Sequence, residues 1–237
     1  MKAVILCGGK GTRLREHTAR LPKPLVEVGG RPIVWHVMQW YAHFGLRQFY
    51  LATGYLGDHV ADWAARARAA GELDGLEVTC VDTGEETQTG GRVYRLREHL
   101  GDERFACTYA DGLTDLRLPD LLATHEAAGV GATLTAIRPY SPFGILDLDD
   151  TGRVRRFVEK PRMNEWINGG FFIFEPALWA HLTPDCILER QPLEALAAGG
   201  QLAAHRHEGF WACMDTYKDH EHLDGLWKSG AAPWRWW

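Results

Sequence analysis

The sequence predicts an α/β fold in which a mixed, mostly parallel sheet is flanked by helices and carries a small β extension in its second half. Short apolar runs alternate with helical patterns through residues 1–131, which is typical of a parallel sheet covered on both faces. Strand-like segments with fewer helices between them follow in residues 132–237. The chain has 237 residues, 46% of them hydrophobic, so we expect a single domain with a substantial core.

The first half opens with an apolar run at residues 3–6 that stops at a glycine-rich loop, which indicates a buried strand. Residues 32–44 carry apolar side chains at helical spacing, and Gly45 follows as a stop signal. The other predicted elements of this half are strands at 46–53, 76–81 and 104–109 and helices at 58–70 and 91–100.

The second half is richer in strands. Its segments indicate an extension of the sheet rather than a separate domain, because no linker or composition break divides them from the first half. The predicted strands lie at 132–137, 145–148, 154–158 and 170–174, and the predicted helices at 188–198 and 217–228.

The composition excludes several classes of partner. The formal net charge is −5, and no run of basic residues stands out. Binding to a nucleic-acid backbone needs a positive surface, so we expect no nucleic-acid partner. The N-terminal apolar run is too short for a signal peptide and no later stretch is long enough to cross a bilayer, so we expect a cytoplasmic protein that does not associate with membranes.

The cysteines are scattered, odd in number and without a C-x-x-C pair. This pattern indicates free thiols in a reducing compartment rather than disulfides or a zinc site. We expect Cys7 and Cys107 to be buried structural thiols. The full set is Cys7, Cys80, Cys107, Cys186 and Cys213.

The strongest local signal is the sequence LCGGKGTRL at residues 6–14, directly after the first predicted strand. Its glycines Gly8, Gly9 and Gly11 let the backbone approach an anion closely, with amides pointing at phosphate oxygens. Arg13 adds a planar, permanent charge suited to phosphate. A loop of this kind alone is more often a tight turn between a strand and a helix.

A second signal lies close by, in the sequence PKPL at residues 22–25. Lys23 stands between two prolines, so its backbone is stiff and the direction of its ammonium is restricted. By itself Lys23 would be interpreted as a solvated loop residue. With the glycine loop just upstream, we favour a phosphate-neutralising role.

Two common nucleotide motifs are excluded. The dinucleotide-binding fingerprint fails because Leu14 stands where its third glycine belongs, and no acidic residue ends a second strand at the usual distance. The Walker loop fails because no Gly-Lys-Ser/Thr follows the first glycines.

Together these segments resemble the signature of the sugar-1-phosphate nucleotidyltransferase family. Later segments in the same order are similar to its glucose-1-phosphate cytidylyltransferase branch, and the resemblance covers nearly the whole chain. These segments are VDTG at 81–84, TGGR at 89–92, YADG at 109–112, EKP at 159–161, INGGFF at 167–172, GFW at 209–211 and MDT at 214–216.

The resemblance implies a Rossmann-like, GT-A-like fold, with a nucleotide-binding half at 1–131 and a sugar-phosphate-binding half at 132–237. It implies that CTP and glucose 1-phosphate give CDP-glucose and pyrophosphate with Mg²⁺ as cofactor. Another NTP (UTP or dTTP) or another sugar 1-phosphate (mannose or heptose) remains an alternative. A binding module without catalysis ranks low, since the four residues such a module would lose are all present: Arg13, Lys23, Asp111 and Asp215.

The resemblance also implies roles for single residues. Catalysis falls to Arg13, Lys23 and Asp111, and the metal to Asp111 and Asp215, although a turn residue or a helix N-cap would explain either aspartate singly. The implied nucleotide contacts are Leu6, Cys7, Gly8, Gly9, Lys10, Gly11, Thr12, Arg13, Lys23, Thr87, Gly91, Arg92 and Ala110. The implied sugar-phosphate contacts are Gly144, Glu159, Lys160, Asn168 and Gly169.

Three features depart from the family pattern. Ala110 replaces a glycine before the metal-binding aspartate, and Lys10 replaces an apolar residue in the glycine loop. The segment 58–81 is shorter than in the family, so we expect a homo-oligomer smaller than the hexamer of the family.

Two further features are given no role in the reaction. The pairs His205-x-His207 and His220-x-His222 lack a third metal ligand, so we do not expect them to bind a metal. The tryptophan-rich end predicts a packed tail or subunit contact.

Overall fold

Strands and helices alternate through the part of the chain that the computed structural model describes, residues 1–9 and 21–237. The strands are β1 (Lys2–Leu6), β2 (Glu27–Val28), β3 (Arg31–Pro32), β4 (Gln48–Thr53), β5 (Glu77–Asp82), β6 (Phe105–Tyr109), β7 (Gly112–Thr114), β8 (Ala132–Ile137), β9 (Ile145–Leu148), β10 (Val154–Val158), β11 (Ile167–Asn168), β12 (Phe172–Phe174), β13 (Leu202–His207) and β14 (Trp211–Cys213). The helices are α1 (Ile33–His43), α2 (Gly57–Ala69), α3 (Thr89–Arg95), α4 (Arg97–Leu100), α5 (Leu118–Ala128), α6 (Gln191–Ala198) and α7 (Tyr217–Lys228), with short 3-10 helices at Lys23–Leu25 and Pro176–His181.

The central sheet has the order β11-β8-β12-β6-β1-β4-β5, and β13 pairs with β8 as well. The pairs β1–β4, β1–β6, β4–β5 and β8–β13 are parallel, whereas β12 and β11 run antiparallel to their neighbours. The predicted mixed, mostly parallel sheet is therefore confirmed.

The register brings the carboxyl ends of several strands to one edge. Leu6 lies opposite Ala52 of β4 and Tyr109 of β6, and Thr53 lies opposite Asp82 of β5. In open α/β sheets, ligands bind outside this edge. The loops that follow β1, β4, β5 and β6 meet here.

The sheet is buried on both faces, as the apolar run of β1 predicts. Ile5 packs with the core on the α1 side, whereas its neighbours Val4 and Leu6 pack with the core on the other side. Alternation of successive side chains across a strand produces this division. Burying each large aliphatic side chain contributes roughly 1.5–3 kcal/mol.

Most predicted elements lie within a few residues of the observed ones, and two of the differences have a clear physical cause. The helix predicted at 91–100 is broken at Leu96, whose φ of −89° and ψ of 0° leave the α-helical region. The strand β13 was not predicted, because its sequence LAAHRH lacks β-branched residues; its pairing with β8 over six residues holds it in place. The helix α5 and the β7–β14 ribbon were not predicted either.

The predicted β extension is an antiparallel hairpin of β9 and β10. Its side chains are almost all exposed, among them Leu146, at 50%, and Phe157, at 61%.

The tryptophan-rich end packs against α1, as the sequence predicts. Trp234 is fully buried, and its Nε1 donates to Nδ1 of His36 at 3.4 Å. Trp227 makes an edge contact with the same imidazole, with ring centroids 4.6 Å apart.

Cys7 and Cys107 are buried free thiols, also as predicted. Within the described ranges, we find no helix whose length and apolar character would let it cross a membrane.

Candidate active site

A cleft of about 380 Å³ opens at the carboxyl edge of the sheet. Residues from the ends of β1 and β6, from the start of α3, and from the segments around 23 and 215 surround it. The lining residues are Leu6, Cys7, Gly8, Gly9, Lys23, Pro24, Thr87, Gln88, Thr89, Arg92, Tyr109, Ala110, Asp111 and Asp215.

Lys23 lies between two carboxylates in this cleft. Its Nζ is 2.5 Å from Oδ2 of Asp111 and 2.7 Å from Oδ1 of Asp215. Burial lowers the pKa of Lys23, but the charge of Asp111 and the hydrogen bonds of both carboxylates outweigh burial, so the pKa lies above its ordinary value. The cleft therefore contains a protonated lysine at neutral pH.

The backbone around Lys23 is held as its flanking prolines predict. Pro22 has φ −65° and begins a 3-10 turn in which the N–H of Leu25 donates to the carbonyl of Pro22 at 2.8 Å. Pro24 and Leu25 are buried and anchor the turn. The lysine thus projects from a rigid segment rather than from a solvated loop.

Asp111 and Asp215 come together through the ribbon of β7 and β14. Asp111 lies in the turn between β6 and β7, and its carbonyl accepts from the N–H of Met214 at 2.9 Å. Cys213 lies opposite Gly112 in the ribbon, so the next residues of the chain reach the cleft. The N-cap of α7 is Thr216, which forms a capping box with Asp219, so the carboxylate of Asp215 is not needed as a cap.

The same corner offers a candidate metal site. Ligand atoms of Asp111, Cys213 and Asp215 all lie within 4.8 Å of one another. Carboxylate oxygens suit Mg²⁺, which takes one or two carboxylates from a protein and keeps several waters. The thiol does not suit it, and burial raises the pKa of Cys213 well above its ordinary value, which favours the protonated form. The two aspartates therefore fit Mg²⁺ and the cysteine does not contribute.

Arg92 lines the cleft, but its guanidinium is directed at the backbone. Its nitrogens donate to the carbonyls of Gly8 at 2.9 Å, Thr53 at 2.8 Å and Gly84 at 2.9 Å. Further bonds reach Oγ1 of Thr83 at 2.7 Å and the carbonyl of Glu85 at 3.1 Å. Burial lowers the pKa of Arg92, yet arginine keeps its charge in proteins. This cation ties the loops after β1, β4 and β5 together.

Gly8 is required by the position of Arg92. A Cβ at Gly8 would lie 2.1 Å from Cζ of Arg92, closer than any real contact. The carbonyl of Gly8 points at the guanidinium, and in a trans peptide the following N–H, that of Gly9, points the opposite way. Arg92 therefore fixes the orientation of a backbone amide that borders the cleft.

The predicted residues of the 87–92 segment serve different purposes. Thr87 lines the cleft beside Arg92. Gly91 is not among the lining residues; its N–H donates to the carbonyl of Cys186 at 3.0 Å, and a Cβ there would lie 2.1 Å from the carbonyl oxygen of Pro184. Gly91 thus allows α3 to pack closely against the segment 184–189.

On the predicted sugar side, Asn168 reaches the cleft through Tyr109. Its Nδ2 donates to Oη of Tyr109 at 3.2 Å, and its Oδ1 accepts from the N–H of Gly170 at 2.9 Å. The carbonyl of Gly169 accepts from Nε1 of Trp211 at 2.7 Å. Gly169 and Asn168 are therefore fixed by neighbours rather than open to solvent.

None of the predicted sugar-phosphate residues is among those that line the cleft, and three of them lie apart from it. Glu159 and Lys160 are 60% and 52% exposed in their side chains and lie 3.5 Å apart as an ion pair. Gly144 lies against Phe157 of the hairpin, where a Cβ would come within 2.6 Å of its ring. The structure thus places these three residues at the hairpin.

A second cleft of about 590 Å³ lies beyond Asp215, which it shares with the first. Its wall contains Arg138 and Arg162, both paired with Glu208 at 2.8 and 2.7 Å. Trp211 also lines it. This space therefore adjoins the carboxylate of Asp215.

Sequence reasoning missed three site residues. Tyr109, Thr89 and Glu189 form a hydrogen-bonded group at the cleft wall. Tyr109 could have been suspected, because it ends a strand two residues before Asp111. Nothing in the sequence indicates Glu189, which is 80 residues further along the chain. The predicted contacts at Lys10, Gly11, Thr12 and Arg13 lie outside the described residues.

The discounted histidine pair on β13 has protein partners. Nε2 of His207 lies 2.9 Å from Oδ1 of Asp115, and Nδ1 of His205 lies 2.7 Å from Oγ1 of Thr124.

Comparison with known proteins identifies sequences similar to this chain over its whole length. A sequence profile described as Nucleotidyl transferase matches residues 2–203. A Salmonella typhi protein described as glucose-1-phosphate cytidylyltransferase is 42% identical, with all of both chains covered. A Bacillus subtilis protein described as "Probable glucose-1-phosphate cytidylyltransferase" is 38% identical, again over all of both chains.

Solved structures share the fold. The structure of HddC from Yersinia pseudotuberculosis complexed with GMP-PN matches with a TM-score of 0.75 at 20% identity, covering 95% of this chain and 99% of that chain. Its likeness supports the mixed sheet flanked by helices.

Proposed function

Because the chain belongs to the nucleotidyl transferase family, we propose that it transfers a cytidylyl group from CTP to glucose 1-phosphate, forming CDP-glucose and pyrophosphate. The observation that carries this proposal is the position of Lys23 between Asp111 and Asp215, in the cleft that Gly8 and Gly9 also line. The two full-length relatives described as glucose-1-phosphate cytidylyltransferases support the choice of base and sugar.

In this reaction a phosphate oxygen of the sugar 1-phosphate attacks the α-phosphorus of the triphosphate, and the bond to the β-phosphate breaks to release pyrophosphate. Both reactants are anions, so the site must offset their repulsion and the charge that develops in the transition state. Lys23 supplies a fixed ammonium for this purpose. No protein nucleophile is needed, in keeping with the buried, protonated thiol of Cys7 at the cleft wall.

Asp111 and Asp215 would hold Mg²⁺ through their carboxylate oxygens. When bound, the ion supplies Lewis-acid stabilisation of phosphate oxygens. Lys23 and the ion would share the same pair of carboxylates, so the two aspartates set the position of both positive charges.

The triphosphate would lie against the turn after β1. The N–H of Gly9, directed away from Arg92, is suited to donate to a phosphate oxygen. The charge of Arg92 beneath the turn adds attraction without direct contact. Arg13 would act on the departing phosphates, a role that stays a prediction.

The sugar phosphate would approach from the side of Asn168. Asn168 and Glu159 would bind sugar hydroxyls, and Lys160 would bind the phosphate. Since Glu159 and Lys160 are exposed and paired with each other, their ion pair contributes little to stability, and substrate would replace it at small cost.

The test is pyrophosphate release with Mg²⁺ across a matrix of CTP, UTP, dTTP and GTP against glucose, mannose and heptose 1-phosphates. We expect release with CTP and glucose 1-phosphate, and none when the sugar phosphate is omitted. Release only with another pair would support the reaction type but not the choice of CTP and glucose 1-phosphate. Ala110 and its surroundings would then be the candidate cause of the different substrate preference. No release with any pair from folded protein would reject the proposal.

The chain is further proposed to form a homo-oligomer smaller than a hexamer. The shortened segment 58–81 is occupied by α2 and a short turn before β5. Light scattering of the purified protein gives the mass, and a value of six chains would contradict this proposal, as would a monomer.

A further inference from the structure

A carboxylate behind the cleft wall accepts two short hydrogen bonds from hydroxyl groups. Oε1 of Glu189 accepts from Oη of Tyr109 at 2.5 Å, and Oε2 accepts from Oγ1 of Thr89 at 2.6 Å. Each carboxylate oxygen thus serves one hydroxyl. Hydrogen bonds to an ionised acceptor are shorter and about twice as strong as neutral ones.

The two donors belong to different elements that border the cleft. Thr89 begins α3, close to Thr87 and Arg92, and Tyr109 ends β6, two residues before Asp111. Both line the cleft, whereas Glu189 is not among the lining residues. Glu189 therefore acts on the cleft only through the side chains that it holds.

A third hydrogen bond extends this group to the predicted sugar side. A phenol has one hydrogen, and Tyr109 gives it to Glu189, so its oxygen is left as an acceptor. Nδ2 of Asn168 donates to that oxygen at 3.2 Å. The amide orientation follows from the bond between Oδ1 of Asn168 and the N–H of Gly170 at 2.9 Å.

The segment that carries Glu189 is itself fastened to α3. The N–H of Leu188 donates to Oγ1 of Thr89 at 3.0 Å, and the N–H of Gly91 donates to the carbonyl of Cys186 at 3.0 Å. The carboxylate is therefore held in place by the helix whose first residue it binds.

We propose that Glu189 is a positioning residue that orients Asn168 through Tyr109 and fixes that pair relative to the start of α3, so that nucleotide and sugar phosphate are held in register. This inference rests on the proposed function for the identity of the two ligands. The hydrogen-bonded connection runs from Thr89 through Glu189 and Tyr109 to Asn168.

The decisive variant is Glu189→Gln, which keeps size and shape but offers one acceptor oxygen to two hydroxyl donors. Either Tyr109 or Thr89 then faces an N–H group and loses the acceptor of its own hydroxyl hydrogen. We expect the KM for the sugar 1-phosphate to rise about tenfold, the scale of one lost hydrogen bond to a charged group, while the melting temperature changes by only a few degrees.

A double-mutant cycle separates positioning from a general structural effect. Tyr109→Phe removes the hydroxyl through which Glu189 acts, so adding Glu189→Gln to it should not raise the KM for the sugar 1-phosphate further. Thr89→Val removes the other arm, together with the acceptor of the Leu188 N–H, and leaves the bond between Tyr109 and Glu189, so Glu189→Gln should still raise that KM in its background. Additive effects with Tyr109→Phe, or an unchanged KM in Glu189→Gln, would overturn the proposal.

Calorimetry measures the affinity for glucose 1-phosphate in the presence of CDP, where no turnover takes place. It allows the wild type and the variants to be compared by binding instead of by KM. A wild-type chain that binds the sugar phosphate but releases no pyrophosphate would reject the proposed function while leaving the coupling measurable. A wild-type chain that turns over normally, with Glu189→Gln equal to it in both measurements, would reject the positioning role alone.

Discussion

The guanidinium of Arg92 donates to the carbonyl of Gly8 at 2.9 Å and lies so close to this residue that no side chain fits between them. Among the residues that the structure describes, no atom lies within 4 Å of the place where a Cβ on Gly9, the next residue, would stand. The two adjacent glycines therefore differ in what they permit. Gly8 admits a buried cation, whereas Gly9 leaves room on the side of the cleft.

Gly8→Ala should accordingly destabilise the fold much more than Gly9→Ala. A methyl group at Gly8 displaces a guanidinium that five hydrogen bonds hold, and overpacking of this kind costs about 1–3 kcal/mol. Urea unfolding of both variants measures the difference. Equal urea midpoints for the two variants would show that the Arg92 side chain can move aside without loss of stability.

Lys23→Ala should lower turnover by roughly 10²–10³-fold while the fold is retained. The substitution removes the positive charge between Asp111 and Asp215 and leaves the two carboxylates facing each other. Steady-state kinetics and circular dichroism check the two parts of this expectation. Lys228→Ala is the matched control, because Lys228 is an exposed lysine that pairs with Asp224 on α7, and its turnover should equal that of the wild type.

Asp111→Asn should raise the Mg²⁺ concentration that turnover requires and reduce turnover by orders of magnitude, since a neutral amide is a poorer ligand and removes one of two charges. The measurement is turnover against Mg²⁺ concentration. Asp149→Asn, in the exposed hairpin turn, serves as control. If Asp111→Asn reached normal turnover at the wild-type Mg²⁺ concentration, the metal role of Asp111 would be wrong.

His36 should make stability depend on pH between about 4 and 6.5. Burial lowers the pKa of His36 to about 4, and the neutral ring already satisfies the carbonyl of Val28 and the indole of Trp234. As the pH falls from 6.5, the unfolded chain takes up a proton that the folded chain does not, so the free energy of unfolding decreases. The decrease reaches roughly 3 kcal/mol near pH 4.

The comparison that isolates this effect is His36→Gln. Other groups titrate in the same window, so unfolding by urea is measured for both proteins from pH 7 to pH 4. The wild type should lose more stability than the variant over this range. Parallel curves would mean that His36 is protonated in the folded chain.

Local sequence patterns predicted those parts of the molecule that depend on neighbours along the chain. The apolar run of β1 is buried on both faces, and the prolines around Lys23 hold its backbone, since each effect is local. The strand β13 gave no such signal, because its stability comes from pairing with β8, 70 residues away in sequence.

The candidate site divides in the same way, between residues that local motifs predict and residues that are placed by contacts distant in sequence. Lys23, Asp111 and Asp215 were identified by resemblance to family motifs, and the structure brings them together. The backbone contacts of Arg92 were not foreseen, because a guanidinium bound to carbonyls has no sequence signature. Glu189 was missed for a similar reason: it touches the cleft only through Tyr109 and Thr89.

The pairing of β14 with β7 has a consequence for how the enzyme is made. Synthesis proceeds from the N-terminus, and domains fold as their segments become available. The segments that carry Gly8, Lys23 and Asp111 leave the ribosome long before Asp215, whose segment is the last of these to join the cleft. A nascent or truncated chain that ends after β13 therefore contains the whole central sheet but lacks Asp215, one of the two carboxylates that hold Lys23, so the cleft is assembled only after β14 has been made.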